Sequence, residues 1–255
     1  MKSIRNLLGK SRDGKISPAG LAMAAASLLA LSMGLAACEN VAGYTRPSLV
    51  RFIDGSYIAP AVNVYITSGT STIELASNLG QGAITNYGTV SASADAQVKI
   101  TEVTADVTLV KADVTILGGH QHSIFLTDNG STTNSYTVTV LEDQQVAAAS
   151  GHSAFRFLNQ APKVGAIDVY MIPAGSSLAK TNPMVSNLPV GQTFGYTLFN
   201  AETVTMVIVA HGTTTPKYTS SSLALTGGEV RTVLVFDSQL TSDPPVYVTV
   251  ADDYD

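Results

Sequence analysis

The chain has 255 residues, a formal net charge of −5 at pH 7 and a single cysteine, and only 13% of its residues are charged. An acidic, sparsely charged chain lacks the basic face that nucleic-acid binding requires, so we predict no nucleic-acid partner. One cysteine cannot form an intramolecular disulfide, so burial of apolar surface must stabilise the folded part.

Residues 1–37 have the pattern of a secretory signal. Five basic residues and one acid precede an uncharged run from Leu21 to Leu35, which ends on small residues. This order of charged start, short apolar core and small-residue cleavage site is typical of a signal peptide. About 15 apolar residues are too few to span a bilayer, which takes roughly 20. We therefore predict an N-terminal signal helix that is removed.

The block Leu35-Ala36-Ala37-Cys38 resembles the lipobox of bacterial lipoproteins. The resemblance implies cleavage before Cys38 and attachment of lipid to its thiol. Two or more acyl chains suffice for durable membrane attachment without a membrane span. Glu39 replaces the aspartate that would retain the protein at an inner membrane, which favours the outer membrane. We expect residues 38–44 to be a lipidated tether that holds the rest of the chain in the cell envelope.

The remaining chain repeats itself, with matching blocks in the same order along its length. Phe155-Arg156-Phe157-Leu158 matches Val50-Arg51-Phe52-Ile53 at an offset of 105 residues. Further along, the offset becomes 109, as in Asn187-Leu188 against Asn78-Leu79. The sequence therefore predicts two homologous domains, residues 45–145 and 151–255, joined by a linker at residues 146–150.

Both repeats have the patterning of β-structure. Val62, Val64 and Ile66 alternate with polar residues at a period of two. Other runs, such as Val230 to Phe236, are apolar on both faces and are typical of a central strand or a sheet-sheet interface. We predict an all-β protein with two tandem antiparallel β-sandwich domains of immunoglobulin- or transthyretin-like type.

The repeated blocks resemble a known bacterial family. Val50-Arg51-Phe52 followed by Ala61-Val62-Asn63-Val64-Tyr65, and the corresponding block ending at Tyr170, are similar to the bacterial domain of unknown function 4397. Asn63 departs from the family pattern, which has the aspartate seen at Asp168. Members of this family are often secreted, anchored and present in tandem, and the family has no established catalytic residues. The resemblance therefore implies a fold and a compartment rather than an activity.

Two arginines lie inside apolar strands at the same position of their repeats. An arginine flanked by Val and Phe either points to solvent or is paired within the domain, and a ligand-binding role is the alternative. Two acidic pairs also recur in register. The sequence therefore suggests one structural ion pair in each domain, with candidates Arg51, Glu142, Asp143, Arg156, Asp252 and Asp253.

Four tyrosines also correspond between the repeats and are candidate binding residues: Tyr65, Tyr170, Tyr87 and Tyr196. Exposed tyrosines can stack on sugars, although the absence of tryptophan argues against a sugar site. The alternative is that these rings cover the sheets or pack the domains together.

We predict no metal site, no cofactor and no catalytic residues. His120 and His122 would point to one face of a strand, but a zinc site needs three or four ligands. Their equivalents in the second repeat are Glu229 and Arg231, which cannot repeat such a site. The block Gly151-His152-Ser153 begins like a nucleophile elbow but lacks its last glycine.

The expected function is a non-catalytic binding module for an unknown envelope or extracellular component, protein or polysaccharide, anchored to the membrane through Cys38. The alternatives are an architectural spacer without a selective ligand and, least favoured, a carbohydrate-active hydrolase.

Overall fold

The computed structural model describes residues 46–128, 135–238 and 246–254, in which all regular secondary structure is β-strand apart from one 3₁₀ helix. The first half contains β1 (Ser48–Asp54), β2 (Val62–Ser68), β3 (Ser71–Leu79), β4 (Gly88–Val90), β5 (Ser93–Glu102), β6 (Thr108–Ile116), β7 (Gln121–Asp128) and β8 (Tyr136–Glu142). The second half contains β9 (His152–Gln160), β10 (Ile167–Pro173), the 3₁₀ helix η1 (Leu178–Lys180), β11 (Val185–Leu188), β12 (Thr193–Asn200), β13 (Thr203–Ala210), β14 (Pro216–Ala224), β15 (Val230–Asp237) and β16 (Val246–Asp252).

Each half is a sandwich-like pair of four-stranded sheets, and the strand order is the same in both halves. The orders are β4-β1-β7-β8 and β3-β2-β5-β6 in the first half, and β12-β9-β15-β16 and β11-β10-β13-β14 in the second. The repeat in sequence therefore corresponds to a repeat in topology, with β1 equivalent to β9 and β7 to β15.

One strand pairing in each half differs from the predicted antiparallel sandwich. β1 and β7 are parallel, and so are β9 and β15. Between β1 and β7 the chain crosses to the facing sheet and returns, instead of turning in a hairpin. Parallel neighbours require a long crossover connection of this kind. The sheets are therefore mixed rather than purely antiparallel.

The interior of each sandwich is formed by alternate residues of its strands. In β2, Val62, Val64 and Ile66 are buried, whereas Asn63 and Tyr65 on the other face are only half-buried. The equivalent alternation in β10 puts Ile167, Val169 and Met171 in the core of the second sandwich. The period of two in the sequence thus decides which side chains face inward.

The two halves pack against each other through the outer faces of the sheets that contain β1 and β9. A separate apolar cluster joins residues of both halves, including Ile53 and Phe125 from the first and Leu158, Leu234 and Phe236 from the second. These strands are consequently buried on both faces, which explains apolar runs such as Val230 to Phe236. The described residues, from position 46 onward, belong to one compact unit.

Gly82 lies where the two halves approach closely. A Cβ atom at this position would be 2.8 Å from Cε1 of Tyr247, and the residue has a φ of +78°. The Thr249 hydroxyl donates to the carbonyl of Gly82 at 3.1 Å. A side chain at Gly82 would therefore both strain the backbone and push the halves apart.

The change of offset from 105 to 109 residues maps to one connection. In the first half, β2 and β3 form a hairpin through Gly69 and Thr70. In the second half, β10 and β11 are joined by residues 174–184, which contain η1. Leu178 of η1 packs on Ile172, Val207 and Val209, which form an apolar outer face of this sheet.

Several predicted features lie outside the described residues: the signal helix, the lipobox Leu35-Ala36-Ala37 and the lipidation site Cys38. Within the described ranges, no helix is long and apolar enough to cross a membrane. The predicted linker is described, and its Ala148 is buried, with the amide donating to the Gly228 carbonyl at 3.0 Å.

Candidate functional site

A buried group of charged and polar side chains lies between the two halves. We call it the arginine cluster, and it consists of Arg51, Tyr87, Ser123, Asp143, Arg156, Tyr196, Thr232 and Asp253. Arg51 is 3% exposed and Arg156 is 4% exposed. Both come from central strands, β1 and β9, on the face that the other half covers.

Arg51 makes its strongest contacts across the interface. Its Nη2 atom donates to Oδ1 of Asp253, and its Nη1 atom donates to the Asp252 carbonyl at 2.5 Å. Within its own half, Nε donates to the Ser123 hydroxyl at 2.7 Å, and Nη2 lies 4.0 Å from Oδ2 of Asp143.

Arg156 makes the equivalent contacts from the second half to the first. Its Nη2 atom donates to Oδ1 of Asp143 at 2.5 Å, and its Nη1 atom donates to the Glu142 carbonyl at 2.8 Å. Its Nε atom donates to the Thr232 hydroxyl at 2.9 Å. The cluster therefore has approximate twofold symmetry, and its two arginines and two aspartates carry no net charge.

The sequence hypothesis assigned one ion pair to each domain, whereas each arginine is closest to the carboxylate of the other half. The chain leaves β8 and β16 just before Asp143 and Asp253, where the two packed sheets meet. Glu142 and Asp252 contribute their carbonyls to the arginines, while the side chains of both residues point to solvent.

Tyr87 and Tyr196 complete the arginine cluster. The Tyr87 hydroxyl donates to Asp143 Oδ2 at 2.8 Å, and the Tyr196 hydroxyl donates to Asp253 Oδ2 at 2.7 Å. The guanidinium carbons of Arg51 and Arg156 lie 4.7 and 4.8 Å above these two rings. Burial and the adjacent carboxylate raise the pKa of Tyr87, and burial raises the pKa of Tyr196, so both hydroxyls remain protonated donors.

Tyr65 and Tyr170 lie far from this cluster, on the outer faces of β2 and β10. Tyr65 is paired across the sheet with Glu74 and Lys99. Tyr170 packs on the apolar patch covered by η1. The four tyrosines therefore belong to two different environments.

The repeated Asn-Leu motif has a structural explanation. Asn78 and Asn187 have φ values of 52° and 54°. The amide of Asn78 donates to Asn63 Oδ1 at 2.9 Å, and the amide of Asn187 donates to Asp168 Oδ1 at 2.7 Å. Asparagine tolerates this left-handed conformation better than most residues, so the motif marks a bulge that the preceding strand stabilises.

Asp54 and Asn159 are equivalent residues at the ends of β1 and β9. Asn159 donates two hydrogen bonds, to the carbonyls of Gly165 and Leu188, both at 2.9 Å. Asp54 is fully buried, and among the described residues its Oδ2 atom has no hydrogen-bond partner. Burial raises the pKa of Asp54 to about 7, and nearby Asp128 adds to this effect.

A groove of about 400 Å³ opens at the edge of the first sandwich, between β6 and β8. Apolar and acidic side chains both line it; the lining includes Asp113, Leu117, His122, Val138, Val140 and Glu142. Nδ1 of His120, which is not part of this lining, lies 2.6 Å from Oε1 of Glu142.

The equivalent groove of the second sandwich, between β14 and β16, is about 240 Å³. Arg231 and Asp252 replace His122 and Glu142 in it. Arg231 donates to Asp252 at 2.9 Å and to Glu229 at 3.0 Å. The polar groups of this groove thus bind each other.

A third groove, of about 360 Å³, lies at the opposite edge of the second sandwich. Met171, Met184 and Phe199 form its apolar lining, and Leu198 of edge strand β12 is 54% exposed at its rim. The equivalent space in the first half, beside Thr89, is only about 60 Å³. The longer β10–β11 connection accounts for the difference. No sequence motif indicated the residues of this groove. The change of offset between the repeats nevertheless falls at the β10–β11 connection.

The remaining sequence candidates are not brought together. Within residues 46–128, 135–238 and 246–254, no three His, Cys, Asp or Glu side chains are arranged to hold a metal ion. Ser153 is buried and its hydroxyl donates to the Thr226 carbonyl at 2.9 Å. His152 contacts the carbonyl of Ser150 at 3.0 Å.

Similar solved structures share little sequence with the chain. One is a carbohydrate-binding module of family CBM26 from Eubacterium rectale Amy13K in complex with maltoheptaose, with 12% identity, 81% of this chain and 100% of that chain covered, and a TM-score of 0.27. Another is a candidate cell adhesion protein from Bacteroides eggerthii, with 12% identity, 84% and 97% coverage, and a TM-score of 0.19. A third is the tip fimbrial protein Mfa3 from Porphyromonas gingivalis, with 9% identity, 81% and 99% coverage, and a TM-score of 0.18. TM-scores this low support no inference about fold or ligand.

No curated protein matches the chain. Sequence comparison with domain families is more informative, because the matched segment runs through the whole first half and continues into β9 and β10. Residues 48–170 match DUF4397, a domain of unknown function.

Proposed function

We propose that this chain is a bacterial envelope lipoprotein whose two halves, copies of one domain, act as a non-catalytic binding module. Lipid on Cys38 holds it at the membrane, with the outer membrane favoured. Its partner is another envelope or extracellular component, either a protein or a polysaccharide.

The groove beside β12 is the observation that carries the proposal. A large apolar side chain of this edge strand, Leu198, lines the groove and is 54% exposed. Exposed apolar surface beside a concave surface is typical of an interaction site. The first half has only a much smaller space here, so the longer connection of the second half has created a surface that the shared fold does not need.

In-cell photo-crosslinking of the lipidated protein tests this proposal. Benzoylphenylalanine replaces Leu198 in one variant and Thr89, its equivalent in the first half, in the matched control. We expect one adduct that recurs at Leu198 and is missing at Thr89. Equal adducts at both positions, or adducts at neither, contradict a binding site at β12.

The anchor has a separate test. Cys38→Ala should leave unprocessed precursor and abolish labelling by a fatty-acid probe, because the thiol is the proposed attachment point. Normal labelling of the variant contradicts the lipoprotein assignment and leaves the crosslinking result intact.

An architectural spacer is the second candidate function. The arginine cluster and the apolar cluster around Ile53 join the halves into one unit, as a spacer would require. The absence of adducts from both Leu198 and Thr89 would favour this function.

A further inference from the structure

The outer edge of β12 carries backbone groups that its own sheet does not use. β12 is the last strand of its sheet and pairs only with β9. The Ala201 amide, just after β12, donates to the Gly151 carbonyl at 2.9 Å and so points toward β9. Successive residues of an antiparallel strand direct their N–H and C=O groups to opposite sides. Leu198 and Asn200 therefore direct theirs away from β9, at the groove that both residues line.

The first half closes the equivalent edge with a hydrogen bond. The hydroxyl of Ser68, at the end of β2, donates to the Ser91 carbonyl at 2.8 Å. Ser91 corresponds to Asn200 at the offset of 109 residues, and Ser68 corresponds to Pro173 at the offset of 105. The proline side chain has no donor, so the Asn200 carbonyl lacks the bond that its counterpart accepts. The edge is therefore open in the second half only.

The first half also fills the space beside this edge with a strand. β3 has nine residues, and its Ser71 and Ile73 line the space of about 60 Å³ beside Thr89. The equivalent strand β11 has four residues and begins at Val185. The chain before it belongs to the connection that contains η1, and the groove of about 360 Å³ lies there instead. The second half thus lacks the strand segment that occupies this place in the first half.

The edge and the groove together select an extended polypeptide. A neighbouring strand pairs with N–H and C=O groups that repeat along an edge, and it presents every second side chain to one face. Met171, Met184 and Phe199 make the groove apolar, which suits a segment with an apolar residue at every second position. Glu202 is the one charged side chain among the described residues of the lining. Its carboxylate repels acidic segments and favours neutral or basic ones.

The sequence of β12 does not protect this edge. The strand from Thr193 to Asn200 contains no proline and no charged residue, which are the side chains that usually prevent an edge from pairing with another chain. Its one bulge precedes Thr197, so the segment from Thr197 to Asn200 is regular.

We propose that β12 binds an extended segment of a partner protein as an added strand. The segment pairs with the backbone of Leu198 and Asn200 and places alternate apolar side chains in the groove. This inference rests on the proposed binding function, and it selects a protein rather than a polysaccharide as the partner.

The test extends the crosslinking at Leu198 in the full lipidated chain. Benzoylphenylalanine at this position is combined with Asn200→Pro, which removes the outward N–H group but no bond to β9. The matched control is Asn200→Ser, which introduces the residue of the first half and keeps the N–H group. We expect Asn200→Pro to lower the adduct yield at least tenfold and Asn200→Ser to lower it less than twofold. An edge strand tolerates proline where the N–H group faces away from the sheet, and thermal unfolding checks that both variants fold.

Amide hydrogen exchange in the purified adduct gives a readout that needs no proline. The Asn200 amide should exchange at least tenfold more slowly in the adduct than in the protein alone. The amide of Ser91, its counterpart in the first half, should keep its rate. If Asn200→Pro does not fold, the exchange rate of Asn200 decides.

Three results would overturn the inference: a carbohydrate adduct, equal adduct yields from Asn200→Pro and Asn200→Ser, or an unchanged exchange rate at Asn200. Each of them leaves the binding site at β12 intact, because an adduct still forms at Leu198. The absence of any adduct at Leu198 contradicts the proposed function itself, and this inference with it.

Discussion

The two halves agree where they touch each other and differ where their sheet edges face solvent. Both contribute an arginine, an aspartate, a tyrosine and a hydroxyl to the arginine cluster, in matching geometry. Their grooves differ in size at both edges. The shared positions therefore stabilise the molecule, and the positions that diverged are the candidates for function.

The largest expected effect comes from breaking the shared cluster. Arg156→Ala leaves Asp143 buried without its closest cation, and removing one partner of a buried ion pair costs about 3–5 kcal/mol. Arg51→Ala should cost a similar amount, because the cluster is symmetric. Urea denaturation measures the loss.

The matched control is Arg231→Ala, which removes an arginine from a partly exposed ion pair and should cost at most about 1 kcal/mol. A loss below about 1 kcal/mol for Arg156→Ala would contradict a stabilising role for the cluster.

Exchanging Asp54 and Asn159 tests a position where the halves differ in charge. Burial raises the pKa of Asp54 from 3.8 to about 7, so the folded protein retains a proton that the unfolded chain releases near pH 4. This stabilising contribution is complete below about pH 4 and is lost as the pH rises to about 7. The loss is at most about 4 kcal/mol, from roughly three pKa units at 1.36 kcal/mol each.

Asp54→Asn should therefore stabilise the protein at pH 8 and have little effect at pH 4. Asn159→Asp should destabilise it at pH 8, since a carboxylate would face the carbonyls of Gly165 and Leu188. Urea midpoints at the two pH values measure both effects. A pH-independent difference between Asp54→Asn and the original would contradict the raised pKa.

Removing the tyrosine hydroxyls should lower the free energy of unfolding by smaller amounts, equal for the two residues. Tyr87→Phe and Tyr196→Phe each remove one hydrogen bond to a buried carboxylate, which contributes about 1.5–3 kcal/mol. Thermal unfolding of the two variants compares the halves directly. Clearly unequal losses would show that the symmetry of the contacts does not extend to their energies.

Leu198→Thr has the smallest expected effect on stability. It gives β12 the residue found at Thr89, and exposed substitutions usually change stability by less than about 0.5 kcal/mol. The adduct captured from a benzoylphenylalanine at neighbouring Asn200 should nevertheless disappear. A stable variant that keeps this adduct would show that Leu198 is not part of the binding surface.

The sequence predicted the strands well where one face of a sheet is solvated, because the alternation of Val62, Val64 and Ile66 reports directly on burial. It predicted purely antiparallel sheets, which was wrong for β1 and β7, because strand direction depends on how the chain crosses between sheets. The Arg51 and Asp253 positions were visible in the sequence, but their pairing across the halves was not, since equal repeats offer each arginine two equivalent acids.

By itself the sequence determined the β-periodicity, the internal repeat and the change of its offset from 105 to 109 residues, because these follow from local patterning and from counting residues. Only the tertiary structure decided that the halves pack back to back, that the arginines exchange partners, and that a groove lined by His122 opens at the edge of the first sandwich. Those features depend on which surfaces meet, and contacts between residues as distant as Arg51 and Asp253 arise from packing geometry that local sequence does not encode.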